Sequence, residues 1–137
     1  MEQVTQFPPH ALMIARLAVA AFFTILFVQS GFDKLFNFRE NLSWLVGHFQ
    51  GTFLSGLVPI IFVLLTLSEV CTGVLSGYGI VEMLIHKRHG VAFWGAAFGC
   101  ISFIFLFFGQ RVAKDYAGAA TIVPYFAVAI GAVLLLA

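Results

Sequence analysis

Charge is the scarcest property of this sequence. Only 9% of its 137 residues are Asp, Glu, Lys or Arg, against 61% hydrophobic, and mean hydropathy is +1.03. Soluble domains carry nearer a quarter charged residues, so the composition points to lipid as the solvent. No block of lysine and arginine exists, which argues against nucleic acid as a partner, and a net charge of +1 favours no other polyelectrolyte. Cysteine is nearly absent too. Cys71 and Cys100 form no C-x-x-C pair and both fall inside apolar runs, where thiols are inert. That speaks against thiol–disulfide chemistry, although a Cys71–Cys100 disulfide stays open. Histidine is sparse and badly placed for a haem held between helices: His10, His86 and His89 flank apolar runs, and His48 sits in a connection. A single axial ligand at His48 for a peripheral pigment stays open. No phosphate loop, zinc spacing or serine-nucleophile motif is present.

What the sequence has instead is long apolar runs and 17 phenylalanines. About 20 apolar residues cross a bilayer core. Four stretches reach or approach that length, at 11–32, 57–81, 91–108 and 117–137. They predict an all-α integral membrane four-helix bundle in a single domain over 1–137. The first run lacks a basic leader segment and is read as a retained span rather than a signal peptide. Pro9 suits its first helical turn, and Pro124 is expected to bend the start of the fourth.

Between the first two spans, Phe38, Leu42, Leu45, Phe49 and Phe53 recur at helical spacing with polar residues between them. This predicts an amphipathic interfacial helix over 37–54, anchored by Trp44. Gly73/Gly77 and Gly95/Gly99 are small-xxx-small pairs expected at helix contacts, with Ala127/Gly131 a weaker third. Lys/Arg counts on the two faces are nearly balanced, Arg16, Lys87 and Arg88 against Lys34, Arg39, Arg111 and Lys114. The dense "HKRH" at 86–89 tips both termini toward the cytoplasm, in what reads as a bacterial inner membrane.

Two groups of polar residues stand out. Glu69 is the only charge in the second run. Counted from Leu57 at about 1.5 Å per residue, it lies roughly 18 Å deep, which predicts a meeting with Arg16 of span one. A buried carboxylate needs a partner, a proton or a polar cavity. So Glu69 is read as an ion pair with Arg16, as a proton-accepting or ligand-binding group, or as a neutral acid bonded to a carbonyl. At the other face, Lys34, Arg111, Lys114, Asp115 and Tyr116 gather where the fourth span begins. They suggest a site for an anionic headgroup, a small oxyanion or a quinone. The plainer reading is lipid anchoring, with Tyr116 in the aromatic belt and Asp115 as N-cap.

Taken together, a basic residue early in span one, "SGFDK" at its end, "SEVCTG" in span two and "GQRVAKDYAG" before span four resemble the DoxX family of small four-helix membrane proteins. By position, Arg16, Gly31, Lys34, Glu69, Gly73, Arg111 and Asp115 match that family's polar and glycine signature. The resemblance implies association with quinone-linked sulfur oxidation or with membrane-tethered oxidoreductase assemblies. Three functions follow as expectations. The first is a subunit or accessory protein of a larger redox or energy-converting membrane complex, contacting lipids and other integral subunits and carrying no covalent cofactor. The second is a quinone-interacting subunit of thiosulfate:quinone oxidoreductase type. The third is a small transporter or lipid-binding protein. Quinone or lipid is the expected bound molecule.

Overall fold

The computed structural model describes residues 6–137. Among them lie five α-helices and no strand: α1 (Pro9–Phe36), α2 (Phe38–His48), α3 (Val58–His86), α4 (Gly90–Val112) and α5 (Tyr116–Leu136), with a 3₁₀ turn at Ser55–Leu57 between α2 and α3. α1, α4, α5 and the stretch Ser55–His86 are each long and apolar enough to cross a membrane. They form a bundle, and the chain is an integral membrane protein. α1, α3 and α4 run past the expected ends. The apolar run marks the hydrocarbon core, whereas the helix continues into the interface, where its polar ends are solvated.

α3 is the central helix. It packs along α1 on one side and α4 on the other, and α5 packs mainly on α4. Lipid offers apolar side chains as good an environment as the bundle does, so close backbone approach has to hold these helices together. Small residues allow it. A methyl built on Gly73 would stand 2.9 Å from the Val28 nitrogen, and one on Gly31 2.8 Å from a Val70 methyl. At Gly95 it would meet Ser76 Oγ at 2.7 Å, at Gly99 the Phe23 ring at 3.2 Å, and at Gly77 Thr24 at 3.4 Å. Gly79, which small-xxx-small spacing did not single out, is as close as Gly95, 2.7 Å from the Ala92 backbone. Gly131 faces nothing within 4 Å, so the weaker third pair is not a packing site. Phe23, Phe27 and Phe103 fill the centre in edge and tilted contacts, with ring centroids 5.2–6.4 Å apart.

α2 lies across the α1–α3 connection. Its inward face is the expected one as far as Phe49: Phe38 packs on Phe62, with centroids 5.0 Å apart, and Leu42, Leu45 and Phe49 are half-buried. The helix stops at His48, short of the expected 54. Gly51 at φ 80° turns the chain, so Leu54 is buried in place of the exposed Phe53.

Candidate functional site

Glu69 is buried to 1% exposure inside the bundle, as expected, but Arg16 is not its partner. Lys34 Nζ lies 2.8 Å from Glu69 Oε2 and also donates to Ser30 Oγ at 2.9 Å, while Ser30 Oγ donates to the same carboxylate oxygen at 3.1 Å. The glycine contacts explain the exchange. Gly31 against Val70, Gly73 against Val28 and Gly77 against Thr24 fix one antiparallel register between α1 and α3. That register sets Phe32 beside Glu69 and Arg16 beside Ile85, about sixteen residues or roughly 24 Å away along the axis. Depth counted inward from the end of an apolar run missed this, because α3 continues to His86. Lys34, in the last turn of α1, reaches back to Ser30 and to the carboxylate.

Arg16 serves the opposite end. Its Nε donates to the carbonyl of Leu135 at 2.9 Å, and His89 Nδ1 donates to that of Leu136 at 2.6 Å. Both carbonyls lie in the last turn of α5, where no N–H of the helix can reach them. These bonds also place the start of α1, the α3–α4 connection and the end of α5 at one end of the bundle. There Glu82 Oε1 accepts from the Val91 amide at 3.2 Å and caps α4, a role nothing in the local sequence signals.

Both ends of the bundle hold a cavity, the one at the Arg16 end an open hollow of about 520 Å³ lined by Lys87, Arg88 and His89. At the Glu69 end a cavity of about 360 Å³ lies beneath α2, between α3 and α4. Phe49, Phe62, Leu65, Phe105 and Phe108 give it hydrocarbon walls. Lys34, Asn41, His48, Gln110 and Asp115 contribute its polar lining, and Trp44 stacks on the His48 ring with centroids 4.5 Å apart. Asp115 holds two positions. Its Oδ1 accepts from the Gly118 amide at 3.0 Å, which makes it the N-cap of α5, and its Oδ2 lies 3.9 Å from His48 Nε2. Lys114, at φ 60°, makes the turn that brings Asp115 there. Gln110 Oε1 is buried with no hydrogen-bond partner.

The basic cluster expected at this face therefore divides. Lys34 and Asp115 line the cavity together. Arg111 instead lies over the Tyr116 ring, 4.5 Å from its centroid, and Lys114 is exposed; neither they nor Tyr116 lines the cavity. Four residues of the site were missed in the sequence. Ser30 was findable, one helical turn before Lys34. Asn41, Gln110 and the close contact of Gly109 with Phe49, 3.3 Å from a built methyl to the ring, depend on how α2 folds back. Among the described residues no group of three His, Cys, Asp or Glu side chains could hold a metal ion, and both cysteines are free. Comparison of the chain with family models, curated proteins and solved structures finds no match.

Proposed function

We propose that this protein is a small DoxX-like membrane subunit or accessory protein of a larger redox or energy-converting assembly, and that its working part is the cavity beneath α2. The cavity holds an amphipathic molecule, a quinone or a lipid. One observation carries the reading: a 360 Å³ space with hydrocarbon walls and convergent polar groups, next to the pair that Lys34 makes with buried Glu69. Sites for small molecules have this make-up, mostly apolar with a few polar groups that orient the ligand. Lys34 supports it further. Its ammonium has three donors, two already used on Ser30 and Glu69, and its side chain reaches the cavity. Oxidation or reduction of the bound molecule is assigned to a partner subunit.

The bundle is oriented, in this reading, with both termini in the cytoplasm of a bacterial cell, on the strength of Lys87 and Arg88 at that end. Purification in mild detergent followed by solvent extraction is the test. Co-migration with a large complex and a stoichiometric quinone is the expected outcome. Quinone reduction driven by thiosulfate would make the protein part of an oxidoreductase of that type. A lone chain carrying only phospholipid would replace the redox role with a lipid-binding one. For orientation, a cysteine at Arg88 should be labelled in inverted vesicles and protected in intact cells.

A further inference from the structure

We propose that the cavity beneath α2 selects molecules with an uncharged, oxygen-bearing head and turns away carboxylates, phosphates and small oxyanions. The inference rests on the cavity being a binding site and goes further, to the charge of what it holds. The sequence suggested the reverse, because this end of the bundle is rich in Lys and Arg. Three-dimensional placement cancels that charge. Lys34 is the only permanently cationic side chain in the lining, and Glu69 neutralises it at 2.8 Å from a position inside the bundle. Asp115 adds a carboxylate to the lining, and His48 beside it offsets that charge only when protonated. Arg111 is held over Tyr116, and Lys114 is exposed outside the lining. The cavity thus carries no excess positive charge with His48 in either state. An anion entering it gives up its water and gains no free cation in return, which is the costly case in a low-dielectric site.

The polar groups that remain suit a neutral head. The third N–H of Lys34 can donate to a carbonyl or ether oxygen, and the Gln110 amide, whose Oε1 has no partner, stands in the same lining, while Asn41 Nδ2 is already bonded to the carbonyls of Asn37 and Asp33. The phenyl rings and leucines below them accept a tail.

Two molecules that differ in head charge and by one methyl group test this: a dibrominated fatty acid and its methyl ester. Bromine quenches tryptophan on contact, and Trp44 lines the cavity while Trp94, the only other tryptophan, lies on α4 near the opposite end. In detergent-solubilised Trp94→Phe protein, at about pH 9 so that the acid is ionised, the ester should quench Trp44 saturably. The acid should bind about tenfold more weakly or worse. Asp115→Asn keeps an N-capping side chain on α5 and should narrow the gap by strengthening acid binding alone. Acid binding equal to or tighter than ester binding would overturn the neutral-head selection while leaving the site in place. If neither molecule quenched Trp44 saturably, the cavity would not be a binding site, and both readings would fall.

Discussion

The two ends of this bundle use their polar residues in opposite ways. At the end that holds the start of α1, Arg16, His89 and Glu82 each bond backbone at a helix terminus, the first two to the last carbonyls of α5 and the third to the second amide of α4. A cation at a helix C-terminus also meets the negative end of its dipole. These side chains tie elements together. At the other end Lys34 pairs with Glu69 at 2.8 Å, and Asp115, besides capping α5, stands 3.9 Å from His48, beside a cavity that Lys34, His48 and Asp115 line. Charges bonded to backbone fasten a structure, whereas charges paired beside a cavity set what it will accept. The comparison teaches that a scarce charge in a membrane protein has to be read through its partner rather than its depth.

The contrast breaks first, and hardest, at Lys34. Lys34→Met leaves Glu69 buried without its cation and should cost about 3–5 kcal/mol while the carboxylate stays charged. Thermal unfolding in detergent would register this as a large fall in Tm. Glu69→Gln should cost less, about 1–3 kcal/mol, because Lys34 is 18% exposed and can turn outward to the headgroups. Joining the two substitutions should recover part of the Lys34→Met loss, and strictly additive losses would show that the pair is not coupled.

Next in size comes packing. Gly79→Val drives a side chain into the Ala92 backbone, where even a methyl stands at 2.7 Å, and should destabilise by about 1–3 kcal/mol. The same change at Gly131, with nothing within 4 Å, should be nearly silent in the same melting assay. Arg16→Gln should cost about 1.5–3 kcal/mol if its bond to Leu135 is a fastening, and it should leave ligand quenching of Trp44 unchanged. A loss of cavity binding in that variant would erase the division between the ends. Smallest is His48→Gln. The His48–Asp115 pair is partly exposed and 3.9 Å long, so stability should change by no more than about 1 kcal/mol.

The sequence by itself determined the solvent and the number of long helices. A paucity of charge and runs of about 20 apolar residues leave a chain few ways to satisfy its backbone in lipid, and the helical one is local. It also determined that Glu69 turns inward, that Asp115 caps α5, and that Gly31, Gly73, Gly77, Gly95 and Gly99 sit at contacts, since each follows from chemistry within a turn or two of chain. Only the tertiary structure decided which cation meets Glu69. That choice depends on the register between α1 and α3, set by backbone contacts at Gly31 and Gly73 to within a fraction of a turn. A count of residues from an apolar boundary has an error of a turn or more. The cavity was decided in the same way. It exists because α2 ends at His48 and folds its inner face over α3 and α4, and no periodicity within 37–54 records where that face will land.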